Sequence, residues 1–178
     1  MPLAPASRTL KLRSRLLSEM TDIFEALELV QDKSAKTEAY YCRARAPVIS
    51  DEVIHELKSK LTQSSGSTVR ICLHESPEAT FHEMVIVHKR GGVFKPHKHL
   101  TKDESYHMIE GVLRIDILND GGQPLESFRI GGPGSGLPLW VRIRKNIWHA
   151  TTPESDFAVF HESRPGPFQG GDSVFYEP

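Results

Sequence analysis

Two histidines spaced two apart, followed closely by a glutamate, constrain this chain more than any other feature. They lie in Gly91-Gly-Val-Phe-Lys-Pro-His97-Lys-His99-Leu-Thr-Lys-Asp-Glu104-Ser-Tyr-His-Met-Ile-Glu-Gly111. On a strand, residues i and i+2 point to the same face, so His97 and His99 aim at one spot. Leu100 to Asp103 is a short polar turn, and Glu104 opens a new apolar run that can swing back beside the first. Two imidazoles and a carboxylate are three good ligands for a borderline divalent metal. His149, in Asn146-Ile-Trp-His149-Ala, can supply a fourth. The plain alternative is that these are surface residues of a chain with nine histidines. The strand–turn–strand context, which brings His97, His99 and Glu104 to one place, weighs against it.

Hydrophobic periodicity divides the chain. Leu12, Leu16, Leu17, Met20, Ile23, Phe24, Leu27 and Val30 form one helical stripe, which predicts an amphipathic helix over 12–30. Its later turns are acidic, so it packs on the domain or a second subunit rather than on a membrane surface. Gln31 to Ala46 reads as a connector. Ser50 can cap a helix with Asp51 and Glu52 in its first turn, and with Val53, Ile54, Leu57 and Leu61 as its buried stripe. Ser64-Ser65-Gly66-Ser67 ends it. After Thr68 the period becomes 2. Strands are expected at 69–74, 81–88, 93–99, 104–109, 112–118, 125–130, 139–143, 148–152 and 157–162, with a hairpin turn at Asn119-Asp-Gly-Gly. Many short strands separated by turn signals predict an all-β, closed antiparallel double-sheet barrel. The expected division is a helical extension and connector at 1–46 and a β-barrel domain with a short leading helix at 47–178.

The stretch around His97 resembles the first signature motif of the cupin superfamily: a Gly, five residues, His-x-His, three or four residues, Glu, six residues, Gly. Gly91, His97, His99, Glu104 and Gly111 fall in place. The second cupin motif reads Gly, five residues, Pro-x-Gly-x-x-His. Here His149 matches, while Arg144 replaces the Pro and Asn146 the Gly; Asn tolerates the left-handed conformation that the Gly would serve. The tail His161-Glu-Ser-Arg-Pro-Gly166-Pro-Phe168, with the upstream Arg-Ile-Cys-Leu-His74, is similar to WbuC-type cupin metalloproteins over roughly 49–175. The resemblance implies a jelly-roll barrel with an N-terminal α-helical extension, a bound divalent metal ion, and an association with bacterial surface-polysaccharide gene clusters. It does not define a reaction.

Composition excludes several classes. Lysine and arginine number 22 and aspartate and glutamate 23, so no basic excess points to nucleic acid. No apolar run approaches membrane-spanning length. Cys42 and Cys72 lack redox or metal spacing, and a reducing, cytoplasmic setting is expected. The basic, acid-free first eighteen residues resemble a transit peptide; a basic arm or first helical turns is the preferred reading.

Three His and one Glu leave two positions open on six-coordinate Fe(II), Mn(II) or Ni(II), and none on four-coordinate Zn(II) without ligand exchange. Strand parity turns Tyr106 and Met108 inward beside Glu104, and His107 outward. Tyr106 is a candidate proton donor, and Met108, Arg114, Arg142 and Glu162 are candidate substrate contacts. His149 inward places Ile147 and Thr151 inward and Trp148 outward. His74, His82, His88 and His161 read as structural or surface. The leading expectation is a metal-binding cupin acting on a small polar metabolite, such as a sugar derivative, bound in the barrel of a homodimer. An Fe(II)-dependent dioxygenase or oxidase and a non-catalytic sugar- or metal-binding module are the alternatives. A sugar-nucleotide ketoisomerase of cupin fold needs no metal, which the four ligand-type residues weigh against.

Overall fold

A computed structural model describes residues 25–178 except Val93, Gln169 and Pro178. In chain order the elements are β1 (Leu29–Gln31), β2 (Glu38–Cys42), α1 (Asp51–Gln63), β3 (Thr68–Cys72), β4 (Phe81–Lys89), β5 (His97–His99), β6 (Glu104–Glu110), β7 (Val112–Leu118), β8 (Pro124–Gly131), β9 (Trp140–Ile143), β10 (Trp148–Pro153), β11 (Phe157–Pro165) and β12 (Ser173–Phe175). They form a seven-stranded sheet in the order β1-β2-β3-β4-β11-β6-β9 and a five-stranded sheet in the order β12-β5-β10-β7-β8. The sheets lie face to face, as in a jelly roll. Among the described residues strand pairing does not run from one sheet into the other, so the expected closure is one of packing rather than of an unbroken ladder.

The large sheet is buried on both faces. Along β4, Val85 and Val87 join a core with Val53, Leu57 and Leu61 of α1, while Met84 and Ile86 join a second core with Leu113, Ile115 and Ile130 of the small sheet. A strand buried on both sides reads as a continuous apolar run, which is why Met84-Val-Ile-Val87 shows no alternation. The helix forms where its stripe and charges predict. Asp51 and Glu52 occupy its first turn and Lys60 its last, matching the helix dipole. Ser50 sits at the N-cap in extended conformation, but its side chain makes no capping hydrogen bond. Leu57 and Leu61 are fully buried, each worth roughly 1.5–3 kcal/mol of apolar transfer.

The amino-terminal half of the reading needs correction. Most of the expected helix at 12–30 lies outside the described residues, but its end does not: Leu29–Gln31 is a strand. The expected connector contains β2, whose Ala39 and Cys42 are buried, and which pairs with β3 in parallel. Residues 29–42 are therefore part of the large sheet rather than an appendage to it. Short β12 was also not foreseen. Cys42 lies in the helix-side core and Cys72 in the inter-sheet core, so the two free thiols face opposite sides of the sheet.

Candidate metal centre

The four ligand-type residues converge between the sheets. His97 and His99 extend from β5 and His149 from β10; the small sheet pairs His149 directly with His97. Glu104 reaches across from the first position of β6 in the large sheet. One donor atom from each of the four lies within 4.8 Å of the others, a spacing that suits ligands of one cation. His99, Glu104 and His149 are buried and His97 is partly exposed.

Local structure aims the rings. His97 Nδ1 lies 3.2 Å from the Lys95 carbonyl and His149 Nδ1 3.0 Å from the Ile147 carbonyl. His99 Nδ1 lies 3.1 Å from Ser173 Oγ and 3.6 Å from Asp172 Oδ2. An imidazole that donates from Nδ1 carries its lone pair on Nε2, so all three rings can present Nε2 to a common ion. The turn before β10 is fastened to the β5–β6 turn. The Asn146 amide donates to the His99 carbonyl at 2.7 Å, and the Lys145 amide to Asp103 Oδ1 at 2.9 Å. Asn146 adopts φ +62°, the left-handed conformation that lets it stand where the motif has glycine. At Gly111 the motif glycine is required: φ is +78°, and a Cβ there would lie 2.1 Å from the Phe157 carbonyl oxygen.

The cluster is unsatisfied without a cation. Glu104 Oε1 and His149 Nε2 come within 2.6 Å of each other, yet both are fully buried and neither has a hydrogen-bond partner of acceptable angle. Glu104 Oε2 lies 3.3 Å from His99 Nε2. Burial works to raise the Glu104 pKa, but contact with His149 and His99 overcomes it and holds the carboxyl well below its ordinary range. For His149 burial lowers the pKa, and Glu104 outweighs that and raises it. Burial, aided by the neighbouring His149, brings His97 down to about 4. A divalent cation takes the place of the proton that Glu104 favours on His149, and it meets a carboxylate already held in its anionic form.

Tyr106 and Met108 point into the inter-sheet space, with 3% and 1% exposure. Burial first, then the Glu104 charge, raises the Tyr106 pKa far above 10, so the phenol stays protonated. Met108 packs in the apolar core opposite Phe160. Glu162 is buried opposite Tyr106, and burial raises its pKa. The structure does not bring Arg114 or Arg142 to the cluster. Arg114 lies on the outer face of the small sheet, 3.2 Å from Asp116 Oδ2. Arg142 lies on the outer face of the large sheet, 63% exposed and 2.8 Å from Asp103 Oδ2, where it braces the turn that carries His149. Ile147 is 38% exposed rather than inward, because it precedes β10 in a turn to which strand parity does not extend. Trp148 packs beneath Tyr176 and the Lys98 ammonium; Thr151 is buried. His82 and His88 are buried on the inner face of β4, and His74 stacks on His82 at 4.1 Å.

Sequence reasoning passed over Arg164. Its Nη1 lies 3.4 Å from His99 Nε2 and its Nε 3.7 Å from Glu162 Oε1. The parity that turns Glu162 inward also turns Arg164 inward, so the signal was present. Asp172 and Ser173 had none: β12 brings them to His99 by pairing with β5.

The architecture and ligand arrangement define an all-β cupin fold. Residues 49–130 match a family described only as a domain of unknown function (DUF6016), a segment just under half of the chain. Among solved structures, the capsular polysaccharide assembling protein CapF from Staphylococcus aureus is similar at 19% identity and TM-score 0.52, with 65% of this chain and 33% of that one covered. CapF with the inhibitor 3-isopropenyl-tropolone is similar at 20% identity and TM-score 0.51, covering 63% of this chain and 32% of that one. The chain thus corresponds to about a third of the CapF polypeptide, and at these identities the likeness is one of fold. No curated protein matches the sequence. Among the described residues no helix is long and apolar enough to cross a membrane.

Proposed function

We propose that this chain is a metal-binding cupin that takes a small polar metabolite at a divalent cation held by His97, His99, Glu104 and His149. One observation carries the reading: Glu104 Oε1 and His149 Nε2 are buried 2.6 Å apart, without hydrogen-bond partners, inside a group of four donors. A buried polar atom left unpaired costs about 1–3 kcal/mol, and a cation relieves two such atoms at once. When bound, the ion supplies Lewis acidity, and on a six-coordinate metal two positions remain for oxygen donors of a substrate. The protein's own groups do the rest. Ser173, Asp172 and the carbonyls of Lys95 and Ile147 orient the imidazoles. The protonated Tyr106 phenol stands beside Glu104 as a donor to a substrate oxygen, and buried Glu162 backs it.

The Gly166-Pro167-Phe168 segment supports the WbuC-type assignment, and the exposed Leu139 and Trp140 at edge strand β9 support pairing of two copies. The test of the central reading is elemental analysis of protein purified without chelators. The wild type should carry close to one divalent ion per chain, and His97→Ala and His149→Ala should lose most of it while keeping the β-rich circular dichroism. Unchanged metal content in both variants ends the proposal.

A further inference from the structure

Beside His99 a small recess is lined by His82, Lys102, Arg164, Phe168, Asp172 and Ser173. Its charges are arranged unevenly. Asp172 Oδ1 accepts from the Thr101 amide at 3.0 Å and the Thr101 hydroxyl at 2.5 Å, and its Oδ2 faces His99 Nδ1 at 3.6 Å. That carboxylate is committed to holding a ligand histidine. Lys102 Nζ donates only to a neutral acceptor among the described residues, the Pro167 carbonyl. Arg164 Nε is 3.7 Å from Glu162 Oε1, beyond hydrogen-bond range, and its Nη1 points at His99 Nε2 at 3.4 Å. A cation at His99 takes that nitrogen's lone pair and faces the guanidinium with a second positive charge. An anion in the recess that reaches both would remove both problems, because its oxygens can meet the cation and accept from Arg164 together.

We infer that the recess recognises a carboxylate, so that the ligand of this centre is a small organic acid anchored by Arg164 and Lys102. The inference rests on the metal-binding reading above. A singly charged carboxylate suits the recess better than phosphate, since two cations there stand near two carboxylates, Asp172 and Glu162. Phe168, 58% exposed, walls the opening with an apolar ring and fits the carbon skeleton of such an acid.

Calorimetric titration of nickel-loaded and metal-free protein with glycolate, ethylene glycol and inorganic phosphate tests the inference. Glycolate should bind the wild type, and ethylene glycol, which lacks the carboxylate, should bind at least tenfold more weakly. Arg164→Gln should weaken glycolate binding roughly 10- to 100-fold, the loss expected for a charge-assisted contact, with Arg164→Lys in between. Lys102→Gln, at a partly exposed position where folding is not at stake, should weaken it roughly tenfold. Nickel content, measured on every variant, should equal that of the wild type. Glycolate affinity unchanged in both Arg164→Gln and Lys102→Gln overturns the inference; so does equal binding of ethylene glycol, or tighter binding of phosphate. If the wild type holds no metal, the metal-free titrations decide alone: dependence on Arg164 supports a carboxylate recess, and its absence refutes one.

Discussion

The two faces of the seven-stranded sheet carry cores of opposite character. On the helix side, Leu57 and Leu61 of α1 lie on Val69, Ile71, Val85, Val87 and Val159. These side chains need no specific partner; their stability follows from apolar area removed from water. On the inner side, Met108, Phe160, Leu113 and Ile115 form a similar core, but it gives way at one end to Glu104, His99, His149, Glu162 and Arg164. Those groups lose hydration without fully replacing it, which is costly for folding unless a ligand completes the set. The helix-side core secures the fold; the inner end gives up some of that stability to hold a preformed set of ligands.

Crossed substitutions test this division most severely. Leu57→Ala should lower unfolding free energy by about 2–5 kcal/mol in denaturant titrations, with metal content at native conditions unchanged. His149→Ala should act first on the site: metal affinity down at least ~100-fold, with the metal-free protein still folded although Glu104 loses its buried partner at 2.6 Å. If Leu57→Ala empties the site, or His149→Ala unfolds metal-free protein, the two cores are not separable.

The same contrast explains what could be read in advance. His97, His99 and Glu104 were legible because a local, period-2 pattern sets their direction and one short turn links them. His149 came from a motif rather than from periodicity, since only the β10–β5 pairing makes it a neighbour of His97. The helix at 51–63 was legible from its stripe. Strand β2 was not: Glu38-Ala-Tyr-Tyr-Cys42 is too short for a clear period, and its partner β3 lies beyond the intervening helix. Arg114 and Arg142 were placed near a substrate by their charge alone, and strand parity with Leu113 and Ile143 puts both outside.

His88 sharpens the comparison, because it is a titratable group buried on the inner face away from the ligands. It stacks on Phe94 at 3.9 Å, and its Nδ1 lies 3.0 Å from Thr68 Oγ1. Burial lowers its pKa from 6.5 to about 3. Between those values the unfolded chain binds a proton that the folded chain does not, so stability falls as pH drops through this window. At pH 5 the loss is about 2 kcal/mol. His88→Phe removes this titration. Denaturation at pH 7 and pH 5 should show wild type losing about 2 kcal/mol more than the variant, while the titrations shared by both proteins cancel. Equal losses would mean that the inner core admits water at His88.

The smallest effect concerns how the inner end is held. Asn146 stands at φ +62° and ties its amide to the His99 carbonyl at 2.7 Å, so the left-handed turn sets where His149 begins its strand. Alanine in that conformation costs about 1 kcal/mol, whereas glycine adopts it freely and differs from asparagine only through the unfolded chain. Asn146→Ala should therefore be less stable than Asn146→Gly by about 1 kcal/mol, and metal affinity should follow the same order, because a displaced turn moves a ligand. Leu57→Ala, on the other face, lowers stability without touching that turn. A metal affinity that is the same in Asn146→Ala and Asn146→Gly would show that the Lys145–Asp103 tether alone positions His149, and that the left-handed residue serves the chain path rather than the ligand.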